Sequence, residues 1–236
     1  MIYMSNNNLK SNRVYYETKR LLYILMINAY FLISISPFII YFLLSGTGLS
    51  IYILSFLGII IGPALSTLFS VLGRLIRGEE TEAHKDFLYF YKLNFLQGIF
   101  ASAIISIILL MSYLDIEHFF KIGVNIISYI FIGIAIFTLS ISLYVFPIIA
   151  RINAKTLDVF KIAIEKTIKK FYLTITIISI IVIFLFVVKF LKISLIGVLF
   201  GPMSLAYLIL ILEKHTLIDV EDYLKEKYKG ATHNEE

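Results

Sequence analysis

Cysteine, tryptophan and charge are scarce in this sequence, and each absence excludes a class of protein. The 236 residues contain no Cys and no Trp, and Asp, Glu, Lys and Arg together make up only 16%. Without Cys, the chain has no disulfide framework, thiol nucleophile or thiolate metal site. With 59% hydrophobic residues and a mean hydropathy of +0.90, it is too apolar for a soluble domain. The composition therefore indicates an integral membrane protein.

Six apolar runs without Asp, Glu, Lys or Arg divide the chain. Each run has about 18 residues or more, which is enough to cross a bilayer core as a helix. The predicted spans are residues 21–44, 51–73, 93–114, 122–150, 171–188 and 193–212, which together form a membrane domain at 21–212. A polar lead at 1–20 precedes this domain, and an amphipathic tail at 213–236 follows it. We predict an all-α polytopic membrane protein, a bundle of six transmembrane helices with amphipathic cytoplasmic helices.

The basic residues fall into every second gap between these runs. Only Lys121, Lys189 and Lys192, of 21 Lys and Arg residues, lie in the other gaps. The positive-inside rule then predicts a multi-pass protein with both termini in the cytoplasm. Basic residues placed next to the membrane favour anionic lipid headgroups as partners and argue against nucleic acid.

Small residues recur at every fourth position of the second predicted span, and the sixth span has a shorter version of the pattern. One helical ridge of small side chains lets another backbone approach closely. We predict close packing within the chain, with a dimer seam as the alternative. Because a proline follows the second glycine in both spans, broken helices around a midplane cavity are a further alternative. The residues concerned are Gly58, Gly62, Pro63, Ser66, Ser70, Gly197, Gly201 and Pro202.

The predicted spans contain no ionisable side chain. Proton-coupled transporters need such a group inside the membrane, so proton coupling through a buried carboxylate or histidine is not expected. The candidate intramembrane polar groups are neutral, and include Asn28, Gln97 and Asn125. They either line a path for a neutral solute or form hydrogen bonds between helices.

Catalytic and metal-binding patterns are absent from the sequence. The four histidines lie outside the predicted spans, and none has the spacing of a metal ligand. The acidic run from Glu79 to Asp86 stands where a helix is predicted to begin, and the helix dipole accounts for it. We therefore expect no enzymatic activity, no cofactor and no metal.

Amphipathic segments follow the second and fourth spans. Between 155 and 170, apolar residues recur every three or four positions with lysines on the other faces, which predicts a helix on the membrane surface or against a partner. In the earlier segment, aromatic residues alternate with charges where the chain leaves the bilayer. We predict a docking surface there, and the alternative is that the rings lie in the lipid interface. The predicted docking residues are Asp86, Phe87, Tyr91, Asn94, Phe95 and Arg151.

Three further stretches carry a family resemblance. They are residues 62–69, running on to Arg74 and Gly78, then 86–95, and then 144–151. In that order they resemble the YesL-like family of bacterial integral membrane proteins, a domain of unknown function. The resemblance implies a multi-helix protein of the bacterial cytoplasmic membrane, often encoded beside sugar-uptake transporters and glycan-degrading enzymes.

The resemblance extends from about Asn28 to about Tyr207, with two departures. The family often has Trp in the first span where this chain has Tyr30 or Phe31, and about 25 residues separate Pro37 from the Gly-Pro pair. We expect an accessory or regulatory membrane protein linked to carbohydrate uptake, docking a transporter or signalling protein through its cytoplasmic face. The alternative is a small-solute transporter or substrate-capturing subunit without intramembrane ionisable residues.

Overall fold

The computed structural model describes residues 3–45, 48, 50–152, 154–192 and 194–232, and within them every regular element is an α-helix. This confirms the predicted all-α class. The helices are α1 (Tyr3–Ser34), α2 (Ser36–Leu44), α3 (Ile51–Arg77), α4 (Ala83–Lys121), α5 (Asn125–Arg151), α6 (Thr156–Lys169), α7 (Phe171–Phe190) and α8 (Ser194–Thr232).

Within the described residues, five helices are long and apolar enough to cross a membrane. They are α3, α4, α5, α7 and the part of α8 from Gly197 to Glu226. The first predicted span is broken, because the chain bends by 61° between α1 and α2 and reaches six crossings only if that pair counts as one. The bend follows from Pro37 in the first turn of α2, since proline lacks the N–H that would continue the α1 ladder.

Two helices extend far beyond the predicted spans. Each of α4 and α8 has 39 residues, which corresponds to about 58 Å at 1.5 Å per residue. A bilayer core is only about 30 Å thick, so a large part of each helix lies outside it. The third span and the amphipathic segment before it are thus one helix, and the tail continues α8 without a break as far as Thr232.

Burial is concentrated toward one end of the bundle. In α3 the buried residues begin at Gly62, and in α5 all but one of them lie from Thr138 onward. The buried half of α3 ends near Arg74, and the buried half of α5 ends at Arg151. Most of the charged side chains lie at this end of the bundle. We call this the basic end. The core therefore lies in the half of the bundle next to the basic end, and the helices expose their side chains in the other half.

The second span packs against α4 of the same chain through glycine. A Cβ atom built on Gly62 would collide with the carbonyl oxygen of Gly98 and with the side chain of Ser102. In return, a Cβ atom on Gly98 would lie 2.8 Å from the Cα and N atoms of Pro63. The two helices approach at the level of backbone atoms, and only glycine fits on either side.

The sixth span uses its glycines differently. A Cβ atom on Gly197 would lie 2.5 Å from Cγ1 of Val188, and one on Gly201 would lie 2.9 Å from the ring of Phe184. Both neighbours are side chains of α7. These glycines therefore receive side chains of the preceding helix, and no close backbone contact is formed.

Candidate functional site

An ion pair at the basic end joins three helices. Nη1 of Arg74, at the end of α3, lies 2.6 Å from Oδ1 of Asp86 in the first turn of α4. The hydroxyl of Tyr23 in α1 donates to the other carboxylate oxygen at 3.1 Å, and the backbone N–H of Glu82 donates to the same oxygen at 2.9 Å. Asp86 is only 7% exposed. A buried carboxylate needs such partners, and here they satisfy both of its oxygens.

The turn between α3 and α4 positions Arg74. Gly78 ends α3 with φ +73°, a left-handed conformation that favours glycine, and the N–H of Glu79 bonds back to the carbonyl of Arg74. Arg74 also donates to the Glu79 carboxylate at 2.8 Å and to the carbonyl of Glu80 at 2.9 Å. Hydrogen bonds from Arg77 and Arg74 hold the pKa of Glu79 below its ordinary value, with burial acting in the opposite direction.

A second set of hydrogen bonds ties α3, α4 and α5 together. Asn94 donates to the hydroxyl of Ser70 at 2.8 Å, and Ser70 donates to the carbonyl of Ala150 at 3.0 Å. Gln97, one helical turn deeper in α4, donates to the carbonyl of Ala154 at 2.8 Å. These polar groups connect helices rather than line an open path.

The other predicted intramembrane polar groups have different positions. Asn28 is buried between α1 and α8, where its amide donates to the carbonyl of Leu199. Its side-chain oxygen has no hydrogen-bond partner among the described residues. Asn125 begins α5 at the end opposite the basic end, where it is exposed and is the first residue of a helix long enough to cross a membrane.

The predicted docking surface is wrong for half of its residues. Asp86, Phe87 and Asn94 are buried, since this face of α4 turns toward the bundle. Tyr91 is half-buried and Phe95 is exposed. The physical reason is that the aromatic residues belong to an inward stripe with spacings of three and four, continued by Gly98, Ala101 and Ile105. Following that stripe past residue 95 would have shown its direction.

Arg151, the last predicted docking residue, forms an ion pair within the chain. Its Nε lies 2.7 Å from Oε2 of Glu221 in α8. Lys225 bonds to the other oxygen of the same carboxylate at 2.6 Å. Arg151 thus fixes the end of α5 to the extension of α8.

Helix α6 has two apolar faces. Val159, Ile162 and Ala163 are buried against the bundle. The predicted apolar stripe lies on another side, where Leu157 is 75% and Ile168 62% exposed. Helix α6 therefore retains an uncovered apolar face after the bundle has formed.

A carboxyl group that sequence analysis missed lies inside the bundle. Glu213 has no exposed surface, and neither of its side-chain oxygens has a hydrogen-bond partner among the described residues. Its neighbourhood includes Tyr144, whose hydroxyl shares a 2.9 Å hydrogen bond with that of Thr174. Glu213 directly follows the predicted sixth span and lies in the apolar part of α8 that is long enough to cross a membrane. The prediction ended this span at residue 212, yet the buried stripe runs on through Leu210, Glu213, Leu217, Val220 and Leu224.

Among the described residues, no group of three or more His, Asp or Glu side chains is placed to hold a metal ion. The acidic residues of the α3–α4 turn are engaged by arginine and lysine instead, since Arg77 binds Glu79 at 2.5 Å and Lys85 binds Glu82 at 2.7 Å. The turn is therefore a network of ion pairs.

Comparison with protein-family models gives a match over part of the chain. A family model described as "Protein of unknown function, DUF624" matches residues 23–116. The matched segment begins at Tyr23 and contains Arg74 and Asp86, so it includes all three members of the buried ion-pair cluster. No curated protein and no solved structure matches the chain. The match supports similarity to an uncharacterised family of membrane proteins.

Proposed function

We propose that this chain is an accessory or regulatory membrane protein that docks a partner protein with its basic end. Under the positive-inside rule the basic end faces the cytoplasm, in a bacterial cytoplasmic membrane, and both termini lie on that side. The observation that carries the proposal is the uncovered face of α6. We call Leu157, Ile164 and Ile168 the outer face of α6, and all three are exposed.

The chemistry of this face favours a protein partner. Burial of apolar surface stabilises an interface by about 25 cal/mol per Å², and the outer face offers three branched aliphatic side chains on one helical stripe. Charged residues flank it, including Lys161 and the pair Glu165–Lys169, whose charged atoms lie 2.8 Å apart. An apolar centre with a charged rim is the usual anatomy of a protein interface.

The motif resemblance supports the choice of partner in this proposal. The proposal includes assignment to the YesL-like family and, through it, a partner that is a carbohydrate transporter or a signalling protein. Anionic lipid headgroups are the general surroundings of the basic end in this proposal, since lysines lie on α6 beside the outer face.

A photo-crosslinking experiment tests the docking proposal. A photoreactive amino acid is placed at Leu157 or Ile168 in the full chain, which is irradiated in host membranes and then purified. Docking predicts a discrete crosslinked species that contains one partner protein at a stoichiometric level. Crosslinks to lipid alone would overturn docking and identify the outer face as a membrane-surface contact.

A matched pair of variants separates docking from general damage. Leu157→Ser with Ile168→Ser is expected to remove the partner from co-purification in mild detergent. Leu88→Ser with Tyr89→Ser changes two exposed residues of α4 and is expected to leave the partner in place. Equal recovery of the partner with both double variants would also overturn the proposal.

The orientation has its own test, because the chain contains no native cysteine. Ile122→Cys lies in the α4–α5 connection, and Lys161→Cys lies on α6 at the basic end. An impermeant thiol reagent added to intact cells is expected to label only the first. Labelling of the second from outside would reverse the orientation.

A second candidate function, small-solute transport or capture, is favoured by Glu213. A fully buried carboxyl without a partner is costly, and inside membrane proteins such groups often mark substrate or proton pathways. This candidate predicts a solute that co-purifies with the chain and is lost in Glu213→Gln, while the melting temperature is maintained or raised. A chain that purifies without a bound solute and shows no solute uptake in vesicles would remove it.

A further inference from the structure

Two clefts of different chemistry meet at one arginine near the basic end. The first has a volume of about 830 Å³ and is lined by charged residues, among them Lys19, Arg20, Glu80 and Glu82. The second has a volume of about 460 Å³ and is mainly apolar. Arg20 lines both of them. Both volumes lie within the range of about 300–1,000 Å³ that is typical of small-molecule sites.

The apolar cleft is a groove between three helices. Leu21 and Ile24 form its α1 wall, Leu72 belongs to α3, and Phe200 and Met203 belong to α8. One turn beyond Ile24, the hydrogen bond from Asn28 to the Leu199 carbonyl ties α1 to α8. This contact holds the two walls of the groove together, so the groove belongs to the folded bundle.

We infer that the two clefts together bind one phospholipid molecule whose headgroup carries both a phosphate and an ammonium group. An acyl chain occupies the apolar cleft, the phosphate lies against Lys19 and Arg20, and the ammonium group lies against Glu80 and Glu82. The apolar cleft meets the charged cleft at Arg20, and the charged cleft offers both basic and acidic side chains, which matches a lipid whose acyl chain is joined to a phosphate and an amine.

The cations of the first cleft that form no close ion pair support this inference, although Lys85 first, and then the nearby charge of Lys19, lower the pKa of Glu82. Arg74 is neutralised by Glu79 and Asp86, which lie 2.8 and 2.6 Å from it. In the described part of the chain, neither Lys19 nor Arg20 forms an ion pair, and Arg20 reaches only the neutral hydroxyl of Tyr207 at 3.4 Å. Two cations beside an apolar groove are the elements that recognise a lipid phosphate.

The acidic residues decide between headgroups. Among the described residues, Glu80 forms no ion pair. Lys85 forms an ion pair with Oε2 of Glu82. A purely anionic headgroup would meet these carboxylates as like charges, which is unfavourable, whereas an ammonium group would be attracted. The site lies on α1, α3, the α3–α4 turn with the start of α4, and α8, and none of the residues that line the two clefts belongs to α6, so the inference does not depend on the docking proposal.

The binding test uses the purified full chain in detergent with defined phospholipids. Native mass spectrometry and melting temperature are measured with dioleoyl phosphatidylethanolamine, with dioleoyl phosphatidylglycerol and with soluble glycerophosphoethanolamine. We expect one molecule of phosphatidylethanolamine to be retained and to stabilise the chain, with weaker retention of phosphatidylglycerol and no effect of the soluble headgroup. Equal retention of both lipids, or stabilisation by the soluble headgroup alone, would overturn the inference.

Variants in each part of the site locate the lipid. Lys19→Gln with Arg20→Gln is expected to weaken retention about tenfold or more, because charged hydrogen bonds to the phosphate are lost. The matched control, Lys161→Gln with Lys166→Gln, removes the same charge from α6. Ser204→Trp is expected to fill the apolar cleft, which Ser204 lines, and Leu208→Trp lies one turn along α8 outside it. Retention that falls equally in variants and controls would show general surface adsorption and overturn the inference.

The headgroup preference is tested by Glu80→Gln with Glu82→Gln. If the ammonium group lies against these residues, the variant loses its preference for phosphatidylethanolamine and still retains phospholipid. An unchanged preference would overturn that part of the assignment. The melting temperature of this variant should equal that of the α6 control variant. Equal values show that both proteins are folded when their lipid retention is compared.

Discussion

The Gly-x-x-x-Gly-Pro pattern occurs in α3 and again in α8, and the two copies form different contacts. In α3, Gly62 and Pro63 meet the backbone of α4 at Gly98. In α8, Gly197 and Gly201 receive the side chains of Val188 and Phe184 from α7. A backbone cannot yield to an added methyl group, whereas the end of a side chain can move. The same pattern therefore marks a rigid contact in one place and an adaptable one in the other.

The two regions also differ in the connections between their helices, which lie at opposite ends of the bundle. The α3–α4 turn carries the Arg74–Asp86 ion pair and the hydrogen bond from Tyr23. The connection between α7 and α8 contributes only Lys189 and Lys192 as charged residues at the opposite end. Of the two regions, only the α3–α4 region combines close backbone packing with a buried ion pair. This region lies within the segment that the family model matches.

The largest expected effect is that of Gly62→Leu. The added side chain would occupy the space of the Gly98 carbonyl and Ser102, and since the obstacle is backbone, the helices must separate. Overpacking of this kind costs about 3 kcal/mol or more, which corresponds to a fall in melting temperature of roughly 10 °C for a chain of this size. The measurement is thermal stability in detergent by size-exclusion chromatography.

The control is Gly133→Leu in α5, since a Cβ atom at Gly133 would have no neighbour within 4 Å. This variant is expected to melt like the parent protein. If Gly62→Leu also melts like the parent, the α3–α4 contact is not the rigid element of the fold.

Sequence reasoning identified the ridge at Gly62 but not what the ridge touches. Small residues at every fourth position indicate that a neighbour approaches closely, whereas the neighbour's identity depends on which helices are adjacent. A matching row of small residues, Gly98, Ser102 and Ser106, recurs at every fourth position of α4, but it was not singled out. The sequence therefore contained both ridges, whereas their contact with each other became visible only in three dimensions.

The span boundaries show a second limit of the sequence. Five of the six predicted spans ended at the first charged residue, which is sound for lipid-facing positions, and the first span ended at an uncharged stretch instead. Helices α4 and α8 continue beyond the bilayer length, and their buried stripes continue with them to Phe87 and Leu224. Sequence analysis placed Asp86 on a docking surface and Glu213 in the amphipathic tail, because their charge was considered without the stripe in which they lie.

The next largest effect is expected from Asp86→Asn. The substitution leaves Arg74 without its closest carboxylate in a largely buried position. Breaking a fully buried pair costs about 3–5 kcal/mol, and because Arg74 retains some exposure, we expect roughly 2 kcal/mol. The measurement is again the melting temperature, and Arg74→Gln combined with Asp86→Asn should cost less than the sum of the two single changes.

Lys121→Gln is the matched control for the ion pair. It removes an exposed pair with Glu117 at the opposite end of α4, and exposed pairs contribute little. A loss as large as that of Asp86→Asn would contradict the distinction between the two ends of the bundle.

The difference in stability between alanine variants at the two glycine contacts is expected to be smaller still. Gly98→Ala places a methyl group 2.8 Å from backbone atoms of Pro63, and Gly201→Ala places one 2.9 Å from the Phe184 ring. We expect a loss of about 2 kcal/mol for the first and less than about 1 kcal/mol for the second, since the ring can shift. Equal losses would show that α7 and α8 are held as rigidly as α3 and α4.

The smallest effect concerns the pH dependence of the α3–α4 turn. Because hydrogen bonds from Arg77 and Arg74 lower the pKa of Glu79 in the folded chain, its contribution to stability is present above the unfolded-state pKa of about 4.5. That contribution is lost as the pH falls below this value and the carboxylate is protonated. Melting temperatures between pH 6 and pH 3.5 should therefore fall less steeply in Glu79→Gln than in the parent chain. In an Arg77→Gln background the difference should shrink, because the main donor is gone, and a full-sized difference there would assign the shift to Arg74 alone.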